Sequence, residues 1–297
     1  MGYHRHVLVA RGERSIGKAD MRWAVVFASR VWSVAVERNG LTLDTRFIPA
    51  DRNPPRPRSC VYLLLRGTWR IHEREEITAP SAFVVSEEEL EGARGRRPYT
   101  FSAGGEPFQA IEIHVATADV RASRKNLSLD ERAFAAARDV IASIGRDDAA
   151  LERSFAALLR ELARSGVVGE ELADLARRPS PRPVARIWSA VRPMVERLYL
   201  SPTLQELEAP SGFSTRQIDR YVGKFVQGFG LVGTRWRSSL LHLRIKLAVL
   251  LLSADGASIT DVARMVGYGS SDAMARSFRD AGLPSPGAVH QALREAD

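Results

Sequence analysis

Two stretches near the C-terminal end repeat one layout of caps, turns and apolar positions, and this repeat restricts the fold more than any other feature. In the first, Thr203-Leu204-Gln205-Glu206-Leu207-Glu208-Ala209 reads as a short helix opened by Thr203 and Glu206. A hydroxyl and a carboxyl three residues apart satisfy each other's free helix-end amides, which makes a capping box. Pro210-Ser211-Gly212-Phe213 breaks that helix, and a second starts after Ser214 with Ile218, Val222 and Phe225 on its inner face. In the second stretch, 55 residues on (Thr203 to Ser258), Ser258 and Asp261 open a helix that runs to Val266. Gly267-Tyr268-Gly269 turns the chain, and a helix from near Ser270 is predicted to bury Met274 and Phe278. An amphipathic helix carrying Ile187, Val191, Met194, Val195 and Leu198 precedes the doublet and is expected to end near Ser201-Pro202. Between the two units, Thr234 to Ala254 predicts one long apolar helix with Trp236, Leu240, Leu243, Leu247, Leu251 and Leu252.

A short helix, a glycine turn and a second helix hold that second helix at a steep angle, so that it protrudes far enough to enter the major groove of DNA. An arginine there matches the two acceptors of guanine, while Ser, Thr and backbone amides hold phosphates. A plainer reading stays open, in which each unit is an ordinary helical hairpin. Two matched units, each with arginine on the outer face, favour the first.

Residues 186–292 resemble the DNA-binding domain of the AraC/XylS family of bacterial transcription regulators. The residues that carry this are Ile259-x-x-Val262-Ala263-x-x-Val266-Gly267-Tyr268, Arg276-x-Phe278-Arg279 and Ser285-Pro286, with Arg244-Ile245-x-x-Ala248-x-x-Leu251-Leu252 as the linker helix. In the first unit Leu204-x-x-Leu207, Gly212-Phe213-Ser214, Ile218 and Arg220 match. The first unit departs from the pattern at Glu208, where the family has a small residue, at Pro210, and at Val222-Gly223 in place of an aromatic-basic pair. Gly228 to Arg244 is longer than the family pattern, and Gly282 comes one residue early. The resemblance implies base-reading positions at Arg216, Asp219 and Arg220, and at Ser271, Asp272, Ala275 and Arg276, with Arg220 and Arg276 the best fitted to guanine. It implies double-stranded DNA as the partner, a small-molecule effector, RNA polymerase and a second copy of the chain as further partners, and no cofactor.

Upstream, residues 1–120 are predicted to be β-rich, with strands from about residue 21. Arg22–Phe27, Val31–Val36, Leu41–Ile48, Ala82–Val85 and Phe108–Val115 have strand character, and Cys60–Leu65, Arg66-Gly67 and Thr68–His72 read as a hairpin. Repeated short strands with Gly and Pro between them predict a sandwich or small barrel, and the resemblance implies a cupin-like effector-binding domain. Trp23, Trp32, Phe47, Tyr62, Trp69, Phe83 and Phe108 either line a ligand cavity or fill the β core. From Asp130 to Arg178 the period becomes helical, with Phe134, Val140, Ile141 and Ile144, then Leu151, Phe155, Leu158, Leu159 and Leu162, then Glu171, Leu172 and Leu175 marking three helices. These leucine stripes either dimerise or pack back on the β domain. The domain plan is thus 1–120 β-rich, 121–178 helical connector, 179–185 a stiff proline linker after Pro54-Pro55-Arg56-Pro57 has already marked a loop, and 186–297 the double helix-turn-helix domain. The expected class is α+β and multidomain.

The net charge of +8 is shared evenly between residues 184–297 and the rest, so it does not single out the C-terminal region. The N-terminal stretch with His4 and His6 is not a secretory signal, and no apolar run is long enough to span a bilayer. A single cysteine, Cys60, fits a reducing, cytoplasmic setting. No nucleophile elbow, P-loop or dinucleotide fingerprint is present. His72 and His114 stand apart in sequence, so three metal ligands are not expected to converge and catalysis is not expected. Cys60 has no neighbouring His and reads as a small buried residue, which argues against the methyl-transferring DNA-repair proteins that carry this type of C-terminal domain. A cupin-like metal enzyme with a helical tail and a protein–protein adaptor with degenerate units are the competing readings.

Overall fold

The computed structural model describes residues 7–28, 31–48, 58–71, 75–86, 99–102, 107–122, 126–175, 182–197, 199–200, 202–231 and 235–295. His4, His6, Pro54 to Pro57, His72, Pro179 to Pro181, Leu198, Ser201 and Thr234 lie outside them. The chain is α+β, with an N-terminal pair of antiparallel sheets and a C-terminal helical region. One sheet has the order β1 (Leu8–Ile16), β2 (Ala19–Ala28), β3 (Val31–Asn39), β10 (Phe108–Ala116), β5 (Arg58–Arg66), β8 (Ser81–Ser86), β11 (Asn126–Leu127). The other runs β4 (Leu43–Asp44), β9 (Tyr99–Ser102), β6 (Thr68–Ile71), β7 (Glu75–Thr78).

Side-chain alternation decides what each face of the large sheet meets. Cys60, Tyr62 and Leu64 of β5 point inward with Phe83, Phe108 and Trp69. Val61 and Leu63, with Ile111, Ile113 and Val115, point outward under α1 (Glu131–Ser143) and α2 (Asp148–Arg164). With both faces covered, the middle of β5, Cys60–Leu65, reads as one unbroken apolar run. The leucine stripe of α2 is fully buried there, so it packs back on the β domain and is not left to dimerise. A third helix, α3 (Glu170–Leu175), closes this layer. The aromatic residues also fill space. Trp69 and Phe83 stack at 4.0 Å between centroids and Tyr62 and Phe83 at 5.1 Å, and all three are buried core residues.

Four expectations are corrected. Strand β1 begins well before residue 21; its outer half, Arg11 to Ser15, is polar because it is an edge strand that must not attract another chain. Leu41–Ile48 is not one strand. Asp44 Oδ1 accepts from Arg46 N at 2.8 Å, and this side-chain bond competes with sheet pairing and winds Thr45–Phe47 into a 3-10 turn. β5 and β6 do not form a hairpin, since β5 pairs with β8 and β10 while β6 pairs with β7 and β9. Gly67, at φ 93°, turns the chain from one sheet into the other. Finally, α4 (Arg182–Glu196) begins inside the expected extended linker. Pro183 sits in its first turn, where the missing amide has no intrahelical partner to lose.

The helical region continues with α5 (Glu208–Ser211), α6 (Thr215–Phe229), α7 (Trp236–Leu252), α8 (Ile259–Met265), α9 (Ser271–Asp280) and α10 (Pro286–Arg294). It is docked on the sheets. Trp188 Nε1 donates to Val9 O at 3.3 Å, Trp23 Nε1 to Val195 O at 3.2 Å, and Thr42 N to Ser253 Oγ at 2.7 Å. Phe27 of β2 lies 5.0 Å from Trp188 and 4.9 Å from both Phe225 and Phe229 between ring centroids. No helix among the described residues is long and apolar enough to cross a membrane.

Candidate nucleic-acid interface

Each of α6 and α9 is opened by a serine whose hydroxyl accepts a backbone amide three residues on. Ser214 Oγ accepts from Gln217 N, Gln217 Oε1 accepts in turn from Ser214 N at 3.0 Å, and Ser270 Oγ accepts from Ala273 N at 3.1 Å. Counted from these caps, Arg220 and Arg276 occupy the same helical position, six residues in. Ile218, Val222 and Phe225 of α6, and Met274 and Phe278 of α9, are buried. Residues spaced three and four apart share a face, so Arg216, Asp219 and Arg220 form one outward stripe, and Asp272, Ala275 and Arg276 the matching one. Arg216, Arg220, Asp272 and Arg276 are exposed; Asp219, Ser271 and Ala275 are half-buried. Arg216 and Arg276 make no hydrogen bond or ion pair among the described residues, while the Arg220 guanidinium lies 5.1 Å over the Tyr221 ring. Arg279, exposed and one turn beyond Arg276 on the same stripe, extends the basic face; its spacing was visible in the sequence, but it was not among the expected contacts.

The helix preceding each unit supplies an arginine clamp to that unit's glycine turn. Arg186 Nε of α4 donates to Ser211 O at 3.0 Å and Nη2 to Gly212 O at 3.1 Å, with its guanidinium 4.2 Å over Phe213. Arg244 of α7 sits against Gly267 and lies 5.5 Å over Tyr268. Burial pushes the Arg244 pKa down. At Gly267, φ 83°, a side chain would meet Tyr199 O at 2.9 Å, so this turn needs glycine for both conformation and space.

α7 ties the units together. Its first half, Trp236, Leu240 and Leu243, packs with the first unit, and Trp236 Nε1 donates to Pro202 O at 3.2 Å. Its second half, Ile245, Ala248, Val249 and Leu252, packs with Val262, Ala263, Met274 and Phe278. The His290 Nδ1 N–H donates to Leu252 O at 2.6 Å and so closes the last turn of α7.

The first unit is the irregular one. The Thr203–Glu206 capping box forms, with Thr203 N donating to Glu206 Oε2 at 2.6 Å, yet only turns follow it before α5. Pro210 has no amide to give Glu206 O, so the helix expected over 203–209 is reduced to a turn and the single helical turn of α5. Glu208, the departure from the resemblance, has work at the next element: its Oε1 accepts Thr215 N at 2.6 Å, placing a carboxylate at the start of α6.

An open cleft of about 770 Å³ lies beside this region, lined by Arg14, Arg22, Glu37 and Arg38 from the sheet and by Tyr199 and Met265. Deeper in the β domain two further expectations are corrected. Antiparallel pairing of β5 with β10 sets Cys60 opposite His114, so Cys60 does have a histidine neighbour, with Sγ 3.8 Å from Nε2. His114 does not stand alone either, because Glu112 Oε2 is 3.4 Å from the same nitrogen. These pairings join residues far apart in sequence, which is why no motif announced them.

No protein-family model and no curated protein matches the sequence. Among solved structures, ToxT from Vibrio cholerae with a bound unsaturated fatty acid is similar at 9% identity over 98% of this chain and 97% of that one, TM-score 0.34. The AraC-like transcriptional activator CuxR is similar at 12% identity over 98% and 87%, TM-score 0.28. Likenesses this loose carry no argument about activity, and the fold stands on the chain's own elements.

Proposed function

We propose that this chain is a sequence-specific DNA-binding transcription regulator of the AraC/XylS type that docks α6 and α9 into successive major grooves, and that it is not an enzyme. One observation carries the reading: Arg220 and Arg276 sit at one equivalent position of two serine-capped helices, both exposed, above cores joined by a single helix. Major grooves on one DNA face recur about every 10–10.5 base pairs, so the site holds two contacted segments about one turn apart. A straight connecting helix cannot follow a curved duplex, so the DNA bends toward it. Arg216, Arg220, Arg276 and Arg279 supply guanine or phosphate contacts, while Ala275 offers only a methyl for thymine. Asp219 and Asp272 face cytosine amines or water, and Ser271 a phosphate.

In the same reading a small-molecule effector acts through the β domain, whose β1 and β2 carry the cores of α4 and α6. RNA polymerase and a second copy of the chain are further partners. The test is selection of random duplex DNA by the whole chain at one fixed, moderate salt concentration. Enrichment of two short motifs about one helical turn apart is the expected outcome. Retention that depends on salt alone, with no sequence enriched, would sink the reading.

A further inference from the structure

Nothing in the proposed DNA contacts uses the polar group on the inner face of the large sheet. Among the described residues, Cys60, Glu112 and His114 bring one ligand atom each to within 4.8 Å of one another. A thiol, a carboxylate and an imidazole are costly to bury unless partners repay their desolvation, and here Arg38 lies buried near Glu112 as well. The Cys60–His114 separation is 3.8 Å and the His114–Glu112 separation 3.4 Å. A tetrahedral ion with zinc-like bond lengths of about 2.0–2.3 Å spaces its ligand atoms at roughly 3.3–3.8 Å, which matches both separations from His114, and the third lies within 4.8 Å.

The surroundings hold these corners still. Trp32 stacks on His114 at 3.7 Å with 3° between the ring planes, and Arg58 Nη2 donates to His114 O at 2.8 Å. Burial pushes the Cys60 thiol up, with His114 opposing. Burial also raises Glu112, but His114, Lys246 and Arg38 outweigh it and hold the carboxyl below its usual range. Burial takes Arg38 down to about 10. A nucleophilic role is a poor fit, because Cys60 has no exposed surface for a substrate to approach. An ion needs far less room, and the Glu112 side chain keeps 18% of its surface open to solvent.

We propose that Cys60, Glu112 and His114 form a binding site for one borderline-soft divalent ion, Zn²⁺ by preference, with a fourth position open to water or a small anion. Thiolate and imidazole select zinc over magnesium or calcium, and the two anionic ligands match the ion's charge. Binding releases the thiol proton to solvent and forms the sulfur–metal bond in its place.

Cobalt tests this without any DNA. Because Cys60 is the only cysteine of the chain, a sulfur-to-cobalt charge-transfer band in the near ultraviolet reports that residue alone. Chelator-stripped, untagged protein titrated with Co²⁺ should develop that band together with visible bands of a four-coordinate ion. It should saturate at one ion per chain, and Zn²⁺ should bleach it. Glu112→Gln and His114→Gln should each weaken Zn²⁺ by more than the about 10–100-fold typical of losing an outer-shell partner. No charge-transfer band in folded wild-type protein overturns the proposal. So does a band that both variants leave unchanged, since the ion would then sit elsewhere. Should a variant fail to fold, the wild-type band decides.

Discussion

The two helix-turn-helix units share caps and clamps but differ in what stabilises them. The second unit has a full core that runs on through α7 to the inner face of the sheets. Val262, Ala263, Val266, Met274 and Phe278 have no exposed surface, and its turn ends with Tyr268 N donating to Ala263 O at 2.8 Å, the wide bond of a Schellman close. The first unit has only one helical turn ahead of its glycine, and the later half of α6 faces the β domain, where Phe225 and Phe229 meet Phe27. The second unit meets the sheets through the end of α7, where Thr42 N donates to Ser253 Oγ and Lys18 N to Asp255 O, while α9 itself packs on α7 and α8. A unit completed by a sheet inherits the movements of that sheet. α6, which lies directly on β2, is therefore expected to follow changes in the β domain more closely than α9.

Phe27→Ala is the strongest way to break this comparison. Removing a ring packed against four others should cost about 3–5 kcal/mol in urea unfolding. Hydrogen exchange should then show α4 and α6 losing protection while α8 and α9 keep theirs. Equal loss in both units would mean that they form one cooperative block.

Next come the arginines. Arg276→Ala should reduce affinity for the selected DNA site by about 1–3 kcal/mol and relax one base position, whereas Arg220→Ala should cost less. A uniform loss over all sequences would make Arg276 a phosphate contact, and a larger effect at Arg220 would reverse the assignment.

The caps give a finer measure. Ser270→Ala should destabilise by about 1 kcal/mol. Ser214→Ala should cost less than that, because Glu208 Oε1 still accepts Thr215 N at the same helix end. Adding Glu208→Ala to Ser214→Ala should remove this difference, and urea midpoints of the variants check it.

The smallest change is a gain. A side chain at Gly228, in the last turn of α6, meets nothing within 4 Å. Gly228→Ala should stabilise by about 0.5–1 kcal/mol through helix propensity. No gain in the thermal midpoint would show that α6 is already held rigidly by the sheet.

Local chemistry made much of the interface legible. Ser214, Ser258 and Ser270 each bind an amide three residues on, Gly212 and Gly267 each take the left-handed conformation, and the inward residues of α6 and α9 follow a helical period. All of these depend on neighbours within about one turn, so a sequence pattern records them. The shortening of α5 was half visible: Pro210 marked a break, but that the preceding residues would settle into turns depended on how Leu207 is buried against α4 and α6.

The sequence by itself determined where α6, α8 and α9 begin, which of their side chains seek the interior and which arginines remain outside, because caps and apolar periods act over a few residues. Only the tertiary structure decided that Gly67 passes the chain between two sheets, that Cys60 faces His114, and that α4 and α6 rest on β1 and β2. Each of these is a pairing between distant segments, fixed by strand register and by the packing of whole faces, and register leaves no mark in a local pattern.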